Sequence, residues 1–313
     1  MATLVAGPSG IDFDNLLISD LLLGDTIEAT STRFVLKDGA WLEEFTGTFT
    51  YANDELSGGT VTGWRETEAG ELKFDVQGFS VPVATFVGWA ETNDNEGARS
   101  GILAGADQIT GSAFADRMWG YAGNDTLEGG GGQDFLRGND GDDSLSGGAE
   151  FDDLHGNIGN DTVDGGLGTD WVVGGQGNDL LRGGEDDSYD VVYGNLGNDT
   201  CYGGDGADWV RGGQGDDSLS AGGGADWIWG DRGNDTIEGG AGADIFFVFG
   251  EAGTDRVLDF NAAEGDVVRV EAGYTYSAAQ VGADVVVSVG GGAQVVLVGR
   301  TLAALGDGWL VGG

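Results

Sequence analysis

Sixteen aspartates recur on a fixed beat. Asp107, Asp116, Asp125, Asp134, Asp143, Asp152, Asp161, Asp170 and Asp179 are each nine residues apart. After one step of eleven the series continues as Asp190, Asp199, Asp208, Asp217, Asp226, Asp235 and Asp244. Glycine pairs precede most of them, as in Gly174-Gly175-Gln176-Gly177-Asn178-Asp179. Carboxylates repeated amid glycine offer hard oxygen donors and little else, which is the chemistry of cation binding.

The elements that must position them follow from the spacing. Two residues after each Asp stands an apolar side chain: Ile109, Met118, Leu127, Leu136, Leu145, Leu154, Val163, Val172, Leu181, Val192, Cys201, Val210, Leu219, Ile228, Ile237 and Phe246. Six Gly-rich residues make a tight turn through positive φ, which other residues resist. Three residues then form a short strand whose central side chain points inward. Two units complete one coil of a parallel helical sheet, so units n and n+2 stack about 4.8 Å apart. Stacking aligns the carboxylates, and their repulsion calls for a counterion. Calcium accepts six to eight oxygens at irregular angles, backbone carbonyls included, whereas magnesium demands strict octahedral geometry. The expected ligands are Asp116 through Asp244 of the series, together with Asp255 in a last loop, residues 250–255.

The units resemble the G-G-x-G-x-D-x-U-x repeats of RTX (repeats-in-toxin) proteins over residues 102–247. That resemblance implies an all-β chain built on a right-handed parallel β-roll. It implies two rows of bound Ca²⁺, each ion held by an Asp of one coil, the equivalent Asp of the next, and loop carbonyls. Export by type I secretion machinery is also implied. Sixteen units paired n with n+2 allow at most fourteen sites, of which roughly ten to thirteen are expected to fill. Phe114 and Glu150 replace loop glycines, Ala221 replaces a first glycine, and residues 183–190 carry two extra residues. These departures put the sites around Asp152 and Asp190 in question.

Composition bounds the partners. The chain has 313 residues, 64 of them Gly, with 54 acidic against 13 basic side chains and a net charge of −41. Phosphates would be repelled, so nucleic acid is excluded as a partner. The single Cys cannot form an internal disulfide. No apolar run reaches the roughly 18 residues of a membrane span, and the first residues lack the basic and apolar regions of a cleaved signal peptide. We expect three domains: residues 1–100, β-rich; 101–247, the roll; and 248–313, a β cap. Alternation over 45–51, 60–66 and 71–77 predicts a small antiparallel sheet, residues 83–89 a short helix, and 283–289 with 293–298 a hairpin. Residues 308–311 read equally as a secretion address or a capping strand.

The outward positions differ between rows. In the row led by Asp107 the residues after the Asp are Gln108, Thr126, Ser144, Thr162, Leu180, Thr200, Ser218 and Thr236, a solvated and mostly polar face. In the row led by Asp116 the outward residues include Phe135, Arg137, Trp171, Trp209, Arg211, Trp227 and Trp229. Trp and Arg anchor interfaces, and soluble monomers rarely leave such a stripe bare. Three readings stand: the stripe is covered by this chain's own terminal segments, it joins copies into a homo-oligomer or filament, or it stacks the sugars of a polysaccharide.

Catalytic constellations are missing. There is no HExxH, no GxSxG, and one histidine, His155, at an outward repeat position. Cys201 takes an inward position and reads as core. Glu43, Glu44, Glu66, Glu68 and Glu71 of the N-terminal sheet read as solvated charge, although a carbohydrate-active enzyme needs only a carboxylate pair. The sequence therefore points to a non-enzymatic, extracellular or cell-surface protein, structural or adhesive, that folds on meeting calcium; the alternative is a polysaccharide-binding or -modifying protein with the roll as accessory. Chelation with EGTA is expected to abolish the β-sheet circular dichroism of residues 102–260, and Ca²⁺ but not Mg²⁺ to restore it.

Overall fold

The computed structural model describes residues 3–6, 25–29, 33–38, 41–52, 55–68, 71–82, 85 and 95–312. The chain divides into two compact units, Met1–Gly147 and Gly148–Gly313.

The first unit opens with an antiparallel sheet. Asp25–Ala29, Arg33–Asp38, Trp41–Ala52, Glu55–Glu68 and Glu71–Pro82 pair in sequence order. The three strands expected from alternation are present and longer than their alternating runs, because the pairing continues almost to the turns. Phe45 and Trp64 stack at 6.1 Å in its core. Thr3–Ala6 adds to Glu71–Pro82 antiparallel and to Gln108–Thr110 parallel, and so carries the sheet into the first repeat strand. Residues 83–89 lie almost wholly outside the described residues. A helix not anticipated from the sequence, Asn95–Ile102, buries Ala98 and Ile102 ahead of the repeats.

Parallel β-solenoid fills the rest of this unit and most of the second. Strands from alternate repeats stack in register: Trp171↔Val191, Val191↔Trp209, Trp209↔Trp227 and Trp227↔Ile245 in one sheet, and Leu180↔Thr200, Thr200↔Ser218 and Ser218↔Thr236 in the other. The central residue of each strand, such as Leu154, Val163, Val172, Leu181, Cys201 and Val210, is fully buried.

Most strands are six residues long rather than the expected three, as in Trp209–Gln214. The loop itself pairs with the loop one coil on: Gly177 N donates to Leu196 O, Gly197 N to Gln214 O and Gly215 N to Arg232 O, each at 2.8 Å. Those glycines have φ of 134°, 134° and 137°. A Cβ on Gly177 would also run into the Gly159 carbonyl. Where the second glycine of a loop is replaced, the substitutes at positive φ are Tyr121, Asn139, Asn157, Asn195 and Asp231, mostly the residue types that tolerate this region.

The C-terminal part keeps the solenoid register. Thr254–Val257 adds to one sheet and Val267–Val270 to the other. The expected hairpin is Asp284–Val289 with Gln294–Leu297, whose second strand lies parallel on Thr254–Val257. Leu310–Gly312 forms a strand on Val267–Val270.

With one apolar residue per repeat filling the interior, Leu154→Ala is expected to lower stability in calcium by about 2–5 kcal/mol. Thr162→Ala on the exposed face should change it by less than about 0.5 kcal/mol. Urea titration of both variants checks this.

Candidate metal centre

Each repeat Asp sits where the glycine loop re-enters the strand, and its carboxylate does two different things. Oδ1 accepts the backbone N–H of the Asp one coil earlier. In the first unit Asp107 donates to Asp125 (2.7 Å), Asp116 to Asp134 (2.8 Å) and Asp125 to Asp143 (2.8 Å). In the second, Asp152 donates to Asp170 and Asp161 to Asp179, both at 2.9 Å. The same bond joins Asp170 to Asp190, Asp179 to Asp199, Asp190 to Asp208, Asp199 to Asp217, Asp208 to Asp226 and Asp217 to Asp235, at 2.8–2.9 Å. Asp226 to Asp244 (3.1 Å) and Asp235 to Asp255 (3.3 Å) continue it.

Every predicted ligand from Asp116 to Asp255 is buried. The irregular loops keep the pattern: Asp152 and Asp190 hold their bonds, and buried Ala221 leaves the Asp208–Asp226 bond intact. One member was missed. Asp266 accepts from Asp244 N (3.2 Å) and is buried. Its signal was Val268, apolar and two residues on, without the glycine pair that marks the other loops. Asp107, placed in the series but not among the ligands, is buried too.

Oδ2 is the reactive half. In Asp125, Asp170, Asp179, Asp190, Asp199, Asp208, Asp217, Asp226, Asp235 and Asp244 it is inaccessible to solvent and has no hydrogen-bond partner. A desolvated carboxylate oxygen must be protonated or meet a cation. Burial pushes the carboxyls of Asp125, Asp179, Asp208, Asp217 and Asp244 up to about 7, and that of Asp170 to about 8. It pushes Asp143, Asp190, Asp199 and Asp226 to about 6. The accepted backbone N–H pulls each back, and neighbouring carboxylates raise most of them further. Asp235 and Asp255, facing one another, are also raised, first by burial. Asp116 and Asp266 differ: Oδ2 of Asp116 accepts from Ser112 N (2.7 Å) and Oγ (3.0 Å), and that of Asp266 from Asn261 N (2.6 Å).

The surroundings of Oδ2 fit a calcium ion. A Cβ on the first glycine of the loop (Gly174, Gly194, Gly212 or Gly230) would fall onto Oδ2 of the following Asp. Glycine carbonyls line the same space, as Gly138 O beside Gly120. No three His, Cys, Asp or Glu side chains converge on one point among the described residues. Carboxylates are thus supplied singly, and carbonyls must complete any coordination shell, an all-oxygen set suited to Ca²⁺.

The two other candidate groups are settled by their contacts. Nε2 of His155 lies 3.0 Å from Asp153 Oδ1 on the outside of the solenoid. Cys201 is buried, and burial pushes its thiol well up, away from nucleophilic use. The aromatic row is open in the second unit: Trp171, Trp209 and Trp227 are 50%, 42% and 37% exposed. Beside them a cleft of about 480 Å³ is lined by Trp171, Tyr189, Tyr193, Trp209, Arg211 and Trp229, among others. Arg211 is paired with Asp231. In the first unit Phe135 is half-buried, with the Arg137 guanidinium 3.5 Å from its ring centre.

Residues 103–136, 137–172, 164–201, 173–210 and 211–246 match the family model of the RTX calcium-binding nonapeptide repeat. No match is found among curated proteins. Among solved structures, the extracellular lipase LipA from Serratia marcescens is similar at 20% identity and a TM-score of 0.27, over 59% of this chain and 40% of the lipase. The chain therefore spans less than half the lipase's length.

The carboxyl shifts give the metal-free protein a definite pH response. Unfolded Asp releases its proton near pH 4, whereas the folded carboxyls hold theirs to about pH 6–8. Between those limits the native state binds more protons, so its stability falls as pH rises. In EGTA, β-sheet circular dichroism is expected to grow as pH is lowered from 8 to 5, and to vanish again on return.

Proposed function

Because residues 103–246 are RTX calcium-binding nonapeptide repeats, we propose that this chain is a secreted structural or adhesive protein of the cell surface or extracellular matrix, folded by about ten to thirteen calcium ions. The observation that carries the reading is the buried Oδ2 ladder. Inside the cell, where calcium is scarce, these carboxylates would repel one another and the glycine loops would retain their entropy. At millimolar extracellular calcium, ion binding becomes folding free energy. Passage through type I secretion machinery in the unfolded state accords with that switch. Among the described residues, no helix is long and apolar enough to cross a membrane.

The aromatic row supports self-assembly. Trp209 and Trp227 stack at 5.4 Å with planes 9° apart, and Trp229 and Phe247 at 4.2 Å, also 9° apart. Rings stacked in this way turn their faces to one another and their edges outward. A polysaccharide reader needs ring faces free for the sugar, and stacking uses one face each of Trp209, Trp227 and Trp229, whereas Trp171, followed one coil on by Val191, stacks on no ring among the described residues. An edge-on aromatic strip bearing Arg211 and Arg269 suits a protein partner better. On a chain of net charge −41, it also suits the acidic surface of a second copy.

In calcium, sedimentation should show association for the wild-type chain and a monomer for the Trp209→Ser/Trp227→Ser variant with unchanged circular dichroism. An unchanged oligomer would sink self-assembly through this face. Binding to a glycan array, lost in Trp171→Ala, would favour the polysaccharide reading.

A further inference from the structure

The C-terminal cap leaves one strand with a bare edge. Tyr276–Val281 pairs antiparallel with Asp284–Val289 along its whole length, without a register shift. No strand pairs with its other side among the described residues. The turn between the two strands is Gly282-Ala283, so Val281 and Asp284 are the hydrogen-bonded pair that closes it. Bonded and non-bonded pairs alternate from there. Val281, Ala279 and Ser277 therefore direct their backbone groups to Asp284–Val289, as does Thr275, whose carbonyl accepts Gly290 N at 2.7 Å. Tyr276, Ala278 and Gln280 turn their N–H and C=O groups outward, and these groups have no partner among the described residues.

Such an edge is a template for any further strand, and proteins guard it with a charge, a proline or a bulge. Residues 276–281, Tyr-Ser-Ala-Ala-Gln-Val, contain none of these. All are exposed apart from half-buried Ala278. The strand is nonetheless held in place. Gln280 Nε2 donates to the carbonyls of Asp284 (2.9 Å) and Arg300 (3.2 Å), and its Oε1 accepts Leu302 N (3.0 Å). An edge already set in its paired conformation needs little ordering when a partner strand arrives. Charge and symmetry select that partner. Two copies of a chain of net charge −41 repel each other wherever carboxylates face. This strand carries no charge, and the carboxylate nearest along the chain, Asp284, has Oδ1 turned to Gly299 N at 2.8 Å. The strand also complements itself. Set antiparallel to its own copy about Ala278, it brings Tyr276 opposite Gln280 and Ala278 opposite Ala278, the outward-facing residues in each case. The side chains at the axis are methyl groups, which let the two backbones approach.

We propose that Tyr276–Val281 is a docking edge for the same strand of a second copy, joining two cap hairpins into one continuous antiparallel sheet. The proposal rests on the reading of this chain as self-assembling, and adds a second contact, separate from the aromatic face. One strand buries less than a lasting interface needs. The edge therefore acts on copies that the aromatic face has already gathered, and joins them into larger assemblies.

The test follows the full-length chain in calcium over a range of concentrations, by sedimentation for assembly size and by amide hydrogen exchange for the backbone. In the wild type, the N–H groups of Tyr276, Ala278 and Gln280 should become protected as concentration and assembly size rise. Ala278→Pro removes only an outward N–H, which an edge strand tolerates. It should weaken formation of the larger species about tenfold and leave the smaller species of the aromatic face in place. Should Ala278→Pro lose its β-sheet circular dichroism, Ala278→Glu sets two carboxylates opposite each other across the pair. That variant should lose the larger species too, and regain them in part at high salt. The proposal is overturned, with the aromatic contact left standing, if no larger species form or if they form while these three amides exchange freely. Ala278→Pro assembling like the wild type would overturn it as well. A wild-type chain that stays monomeric at every concentration would overturn both readings.

Discussion

The fold depends on a carboxylate whose two oxygens are treated differently. Oδ1 of each repeat Asp closes the backbone of the coil before it, at the point where the loop becomes strand. Oδ2 is left dry and unbonded. The first arrangement needs the side chain buried; the second makes burial costly unless a cation is present. Neither can be relaxed separately, because both belong to one carboxyl group. Folding of the repeats is therefore coupled to the fate of that second oxygen, which must be protonated or meet a cation.

Everything else in the repeat serves that group. The first glycine leaves room beside Oδ2, and glycines such as Gly177 and Gly215 bend the loop through a φ that brings its carbonyls into line. The interior is correspondingly thin, with one apolar side chain per repeat. Val192, Val210 and Ile228 touch their equivalents one coil away in register, so cohesion is passed from coil to coil. Where the ladder meets irregular chain, protein groups donate to Oδ2. Ser112 satisfies Asp116, and Asn261 satisfies Asp266.

The outer faces carry no such constraint, and there the two rows diverge. One is lined mostly with Thr and Ser, with Leu180 among them. The other gathers Trp, Tyr and Arg into stacked files, with Arg211 above Tyr193 and Arg269 beside Phe247. An array set by a metal in its loops is free to display any side chain on its strands. It can serve as a rigid ruler for whichever surface the strands present.

The nine-residue period was enough to determine the parallel solenoid, its inward file from Ile109 to Phe246, the buried aspartates and the sorting of Trp171, Trp209 and Trp227 to one face. All of these follow from counting along the chain, since side-chain direction in a strand depends only on register. The C-terminal hairpin and the N-terminal antiparallel sheet were legible for the same reason. Tertiary structure decided what register cannot. Asp266 joins the ladder across a step of 22 residues, and the loops extend the strands by pairing with their neighbours. The helix Asn95–Ile102 lies against the strand Glu71–Pro82, a partner the sequence does not advertise. Trp209 and Trp227 stack face to face, and the ladder bonds cross the two-residue insertion unbroken. Each of these is a matter of rotamer, of a carbonyl one coil away, or of a partner distant in sequence, and spacing holds no record of them.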